Sequence, residues 1–229
     1  MTTRTRHTER REEALSRERI AEAAVELLDV AGEGGLTFRA LSAQLRTGPG
    51  AIYWHVANKD ELLAAATDAV LTDALTADTA ALAGDAPGTP ENAVRAVALG
   101  VFDAIDAHPW LGAQLARVAS MSTTLRLFEC IGRQVQALGV PENAQFDSAS
   151  ALLNYILGVA GQNAANARTQ PPGTSRADVL SAESAVWANL DPEDYPFIRN
   201  VAAQLRDHDD RAQFLAGVDL ILAGIASLR

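Results

Sequence analysis

The sequence predicts an all-α protein, and three observations carry that reading. Aromatic residues make up only 5% of the 229 residues while alanine abounds, and β-branched residues rarely alternate with polar ones. Apolar residues recur instead at steps of three and four along most of the chain. With 48% hydrophobic residues, a chain of this length can bury a good core, as one helical body or as a small domain joined to a larger one.

Taken in order, residues 1–16 are polar, carry Arg4, Arg6, Arg10 and Arg11, and lack an apolar face, which reads as a flexible basic arm. Ile20, Ala24, Leu27 and Leu28 then fall at helical spacing, so a first helix runs from about Arg17 to Glu33 and stops at Gly34-Gly35. Thr37 can cap a short second helix whose inner face holds Leu41 and Leu45. Gly48-Pro49-Gly50 supplies the next break, glycine tolerating positive φ and proline fitting the first turn of a new helix. A third helix from about Pro49 to His55 points Ile52 and Val56 inward. Asn58 followed by Glu61 forms a capping box for a long helix reaching about Leu82. Gly84 to Pro90 is a linker.

Beyond it the spacing predicts helices over about 91–107, 109–119, 123–138, 145–168, 177–190, 192–207 and 210–228. The breaks are His108-Pro109, Gly139 with Pro141, and a loop at 169–175 rich in Pro, Gly, Ser and Thr that is a candidate for disorder. Cys130 sits in an apolar helical pattern and reads as core, and a single cysteine makes no internal disulfide.

Two short helices around a tight turn, followed by Tyr53-Trp54 beside His55 and Lys59, have the layout of a helix-turn-helix DNA reader. Small residues at the start of the second helix let the backbone approach a duplex. A lysine among the free amides of a helix N-terminus suits a phosphate.

The segment from about Arg17 to Leu63 resembles the N-terminal domain of the TetR family of bacterial repressors. Four ordered blocks carry the likeness: Ile20 to Leu28, Gly35 to Leu41, Ile52 to Val56, and Asn58 to Leu63. The resemblance implies a three-helix DNA-binding domain over 17–63 and a larger helical effector-binding and dimerisation domain over 64–229. It also implies that Thr37, Arg39, Tyr53, Trp54, His55 and Lys59 occupy positions used for base-edge or phosphate contacts. Pro49, Gly50 and Ala51 stand where some relatives carry base-reading side chains. Arg46, Thr47, contacts to thymine methyl groups and DNA shape are then left to carry more of the specificity.

Phe214, Val218, Ile221, Ile225 and Leu228 form a heptad-like stripe in the last helix, with Gly217 and Gly224 on a neighbouring face. Leu153, Ile156, Leu157, Gly158 and Gly161 lie in a second apolar helix with small residues. These two helices look like the pair that forms a four-helix bundle across the two-fold in tetracycline-type repressors. The expected partners are therefore a second copy of the chain, a palindromic double-stranded operator and a small-molecule effector. His108, Trp110, Met121, Phe128, Asn154, Gln162 and Trp187 are the candidate pocket residues, for an apolar or aromatic natural product.

The net charge of −10 lies wholly beyond the reader: residues 1–60 hold nine basic and nine acidic residues, residues 61–229 ten and twenty. DNA contact is thus confined to one end of the molecule and should depend strongly on salt. No nucleophile elbow, phosphate loop, dinucleotide fingerprint or zinc-ligand spacing appears, and the four histidines are scattered. Neither an enzyme nor a metal or other cofactor is expected. No apolar run of about 18 residues or signal peptide appears, which points to a cytoplasmic protein. The alternative reading is a helical ligand-binding or interaction module that does not bind DNA.

Overall fold

The computed structural model describes residues 15–82, 88–117, 122–169 and 175–228, and every regular element among them is a helix. The basic arm up to residue 14, most of the linker, Met121 and the centre of the 169–175 loop lie outside the described residues.

Helix α1 spans Arg17–Gly35, capped by Ser16, whose Oγ accepts from the Arg19 amide at 3.3 Å. The helix ends at Gly35, as expected, and carries a kink inside it at Gly32, whose φ of 62° is a left-handed conformation that favours glycine. Helix α2 (Phe38–Leu45) is capped by Thr37 as expected, and α3 (Pro49–Tyr53) starts on proline. The positive φ of the turn belongs not to Gly48, which is extended at φ −81°, but to Arg46 at φ 52°. That residue closes α2 by donating its amide to the Ala43 and Ser42 carbonyls. Helix α3 ends two residues early, because the His55 amide turns back to the Ile52 carbonyl at 2.9 Å.

Helix α4 (Lys59–Leu82) begins in the predicted capping box with one change. Asn58 Oδ1 accepts from the Glu61 amide at 2.8 Å, while Glu61 Oε2 accepts from Ala57 rather than from Asn58. Its other oxygen takes Arg17 Nη1 at 2.9 Å. The Ala57 amide, then the Arg17 guanidinium, hold the Glu61 carboxyl below its usual range.

The larger body is built around α5 (Pro90–Ala107), which packs against α4, α6 (Trp110–Arg117), α7 (Ser122–Ala137), α8 (Glu142–Thr169) and α11 (Asp210–Ala226). Alanines and Gly100 on its buried face let five neighbours close in. The α7 to α8 turn uses Gly139 at φ 77°. Helices α9 (Arg176–Ala188) and α10 (Pro196–Arg206) form a hairpin packed chiefly on itself, with Ser184 Oγ donating to the Ala202 carbonyl at 2.7 Å. Pro196, at the first turn of α10, and an Asp191 turn that accepts the Glu193 amide delay this helix past the expected start at 192.

The stripe on α11 is where the structure corrects the sequence. Phe214, Val218 and Ile225, with Ile156 on α8, are buried in the chain's own core rather than offered to a second copy. Phe214 packs against Phe102 and Tyr155, and the Tyr155 hydroxyl donates to the Phe214 carbonyl at 3.1 Å. Gly217 is explained by the same contact, since a Cβ there would overlap the Tyr155 phenol.

Gly217→Ala should therefore destabilise the protein by about 1–3 kcal/mol, the usual penalty of overpacking. Gly132→Ala on α7, where a Cβ meets nothing within 4 Å, should be neutral or stabilise by up to about 1 kcal/mol. Urea unfolding midpoints compare the two. Because the folded-state pKa of Glu61 is depressed, its stabilisation is fully present above the ordinary glutamate range and is lost as pH falls from that range through the lower folded-state pKa. The wild type's advantage over Glu61→Gln should vanish on acidification, read from the same midpoints.

Candidate nucleic-acid interface

The reader's core is Ile20, Ala24, Leu28, Leu36, Leu41, Ile52, Val56 and Leu62, all nearly or fully buried. Closing this core turns the opposite faces of α2 and α3 outward, and most of the predicted contact residues lie there. Arg39, Arg46, Pro49 and Gly50 are exposed, and Thr47, Ala51 and His55 are half-buried. Thr37 spends its hydroxyl on the Ala40 amide at 3.1 Å, so its contribution to the surface is to set the start of α2.

Trp54 is 90% exposed and Tyr53 52% exposed at the end of α3. Tyr53 is held by stacking on Phe38, with ring centroids 4.4 Å apart and planes 14° apart. Phe38 escaped the sequence reading, because nothing local pairs it with a ring on another helix. Leaving a whole indole and half a phenol in water forgoes apolar burial that a partner would recover. Gly50 has open space where a Cβ would be, so nothing within the chain requires its lack of a side chain.

Lys59 is placed differently from the expectation of a simple phosphate clamp. Its Nζ donates to the Glu33 carbonyl at 2.6 Å and so ties the end of α1 to the start of α4.

The candidate pocket residues do not come together. His108 and Trp110 turn toward α1: Asp29 Oδ1 lies 2.8 Å from His108 Nδ1 and accepts from Trp110 Nε1 at 2.7 Å. Four residues further along α6, and beyond the Gly32 kink of α1, Gln114 Nε2 donates to Glu33 Oε2 at 3.1 Å. His108 and Trp110 thus clasp the body to the reader, and each lines a separate cavity, His108 one of about 390 Å³ with Val25, Val70 and Ala104, Trp110 one of about 310 Å³ with Leu28 and Gln114. Phe128 packs edge-on to Phe146, and Asn154 is exposed on α8. Gln162 and Trp187 do share a cavity, of about 580 Å³, between α8, the α9–α10 hairpin and α11. Asn163, Arg176, His208 and Asp210 join them there, although the sequence singled out none of these. Arg176 bonds Asp210 through Nε at 3.1 Å and Nη2 at 2.6 Å, and His208 Nε2 lies 3.0 Å from the same carboxylate. The Asn163 amide nitrogen is buried without a hydrogen-bond partner.

Among the described residues there is no cluster of three or more groups suited to a metal ion, and no helix long and apolar enough to cross a membrane.

Comparison with known proteins agrees with this arrangement. Residues 20–66 match the bacterial regulatory proteins of the tetR family, and residues 84–229 match the tetracyclin repressor-like C-terminal domain. The structure of SCO7222, a TetR transcriptional regulator from Streptomyces coelicolor, is similar at 57% identity and a TM-score of 0.84, covering 94% of this chain and 99% of that one. ActR from the same organism, solved in complex with actinorhodin, shares the fold at 23% identity and a TM-score of 0.73, over 92% of this chain and 95% of its own. An HTH-type transcriptional regulator of Saccharopolyspora erythraea is 27% identical over 217 residues, 93% of this chain and 85% of the relative. With both domains matched and an aromatic tip exposed on the helix-turn-helix, the chain belongs to the TetR family of DNA-binding transcriptional regulators.

Proposed function

We propose that the protein is a homodimeric repressor that binds a palindromic operator and is released by a small molecule held in the larger domain. The observation that carries the reading is the outward pair Tyr53-Trp54, braced by Phe38 at the end of α3 and flanked by Arg39 and Arg46. Tyr53 and Trp54 contact the groove or the backbone, and the basic residues anchor phosphates. His55, Thr47, Pro49, Gly50 and Ala51 complete the surface, with Gly50 admitting the duplex close to the helix.

The second copy is received by the outward faces of α8 and α11. Ala216, Leu220, Ala223 and Gly224 lie exposed on α11, and Ala151, Gly158 and Ala165 on α8. Leu220 is 75% exposed among these small residues, an apolar knob on a surface that permits close helix approach. Two-fold pairing there presents two readers to two half-sites.

The effector enters the cavity of Gln162 and Trp187, where the indole offers a ring face and the unpartnered Asn163 amide a donor to a carbonyl or hydroxyl oxygen. Release requires that this ligand prefer the state in which the two readers no longer fit the operator.

Selection from genomic fragments followed by footprinting should recover a short palindrome, with affinity falling steeply as salt rises. If no palindrome emerges at several salt concentrations, the protein is instead a ligand-binding module without DNA. Tyr53→Ala and Trp54→Ala should each weaken operator binding by about tenfold or more, with helicity and dimer content unchanged. Anisotropy titrations that match the wild type would remove these residues from the interface. Leu220→Glu should convert the dimer to a monomer in sedimentation velocity; an unaltered sedimentation coefficient would place the two-fold elsewhere.

A further inference from the structure

We propose that the cavity between α8, the α9–α10 hairpin and α11 is built for a sugar, and that its ligand is a glycosylated molecule gripped by a neutral, hydroxyl-rich ring. This rests on the reading of that cavity as the effector site. It names the chemistry by which the site selects its occupant.

The α8 wall of the cavity is a row of carboxamides. Gln162, Asn163 and Asn166 all border it, and steps of three and four residues set them side by side on one face of the helix. Gln213 on α11 adds a fourth. Each carboxamide both donates and accepts hydrogen bonds, as does each hydroxyl of a sugar, whereas a hydrocarbon surface answers neither group. The Asn163 amide nitrogen is buried without a partner, so an apolar occupant would leave the full cost of desolvating it standing. A hydroxyl oxygen brought to that nitrogen removes the cost. Trp187, on α9, supplies what the amides lack. A sugar ring presents C–H groups on a face and hydroxyls around its edge, so an indole against the face and amides around the edge match both.

The charged residues of the wall are spent on one another. Arg176 Nε and Nη2 reach the two oxygens of Asp210 at 3.1 Å and 2.6 Å, and His208 Nε2 lies 3.0 Å from the same carboxylate. The guanidinium is neutralised by Asp210 and exerts little pull on an anion, and Asp210 exerts equally little on a cation. The remaining carboxylate on the wall is that of Glu183, exposed on α9, which repels an anion and, screened by water, holds a cation weakly. Recognition is thus left to uncharged donors and acceptors. At about 580 Å³ the cavity falls within the range of roughly 300–1,000 Å³ that takes drug-sized ligands, so a sugar with a small aglycone is accommodated whole.

The test is equilibrium dialysis of the full-length protein, without DNA, against methylumbelliferyl glycosides. The β-glucoside, β-galactoside, β-xyloside and α-rhamnoside are compared with the methyl ether of the same coumarin, which lacks the sugar, and with the β-glucuronide, which differs from the glucoside by its carboxylate. At least one neutral glycoside should bind about tenfold or more tightly than both the methyl ether and the glucuronide. In Asn163→Leu that preference over the methyl ether should fall to about twofold or less. Should Asn163→Leu not give a cooperative melt, Gln162→Leu, at an exposed position of α8, replaces it with the same expectation.

The proposal is overturned if no neutral glycoside binds at concentrations on the order of millimolar, if the methyl ether or the glucuronide binds as tightly, or if the preference survives in the variant. Adding the same probes to the protein on its selected palindrome separates this outcome from failure of the effector reading. A glycoside that fills the cavity and leaves the complex intact removes the effector role and keeps the sugar site. Release of the palindrome by the methyl ether as readily as by every glycoside keeps the effector role and removes the sugar.

Discussion

A helix-turn-helix of three short helices cannot bury enough apolar surface to stand alone, and the rest of this molecule is arranged around that constraint. The small core of Ile20, Leu41, Ile52 and Val56 is completed by Leu62, Leu63 and Ala66 from α4, a helix that continues into the larger body. Stability of the reader is therefore inseparable from its attachment. The same requirement explains the polar brackets at its margins, where Arg17 meets Glu61, Lys59 meets the Glu33 carbonyl, and Asp29 meets Trp110. Each sits where a helix begins or ends and satisfies groups that a larger core would have shielded.

Charge and exposure divide the labour in a complementary way. The excess acid of the chain lies entirely past residue 60, so the body is repelled by a phosphate backbone and only one end of the molecule can approach it. That end holds nine of the chain's 19 basic residues, and two aromatic rings stand exposed on it. The turn is shaped to match: Arg46 takes the left-handed conformation that glycine commonly supplies, keeping a guanidinium at the tip at some cost in backbone strain. Gly48 is left extended, where any residue would fit.

What was legible in the sequence follows from the range of the forces involved. Caps, breaks and apolar spacing act within a few residues, so the helices and the reader could be read locally, down to Thr37 and Asn58 as caps. The clasp could not, because Asp29 and Trp110 are 81 residues apart and neither residue type names its partner. Hence His108 and Trp110 were expected together in one pocket, and they stand at a junction where each borders a separate cavity. The stripe of α11 shows a different limit. Periodicity reports that a face is buried but not what buries it, and Phe214, Val218 and Ile225 turned out to face α5 and α8. Glycines are equally mute, since Gly112, Gly161 and Gly217 are each explained only by the group that lies against them.

The chain's three tryptophans fall one to each working part. Trp54 stands in water at the tip of the reader, Trp110 is buried and hydrogen-bonded at the junction, and Trp187 borders the cavity. Indole emission depends on solvent contact, so the protein carries three native fluorophores in distinct surroundings. Replacing them two at a time with phenylalanine would leave a single reporter of DNA contact, of domain angle, or of cavity filling, without attaching any foreign dye.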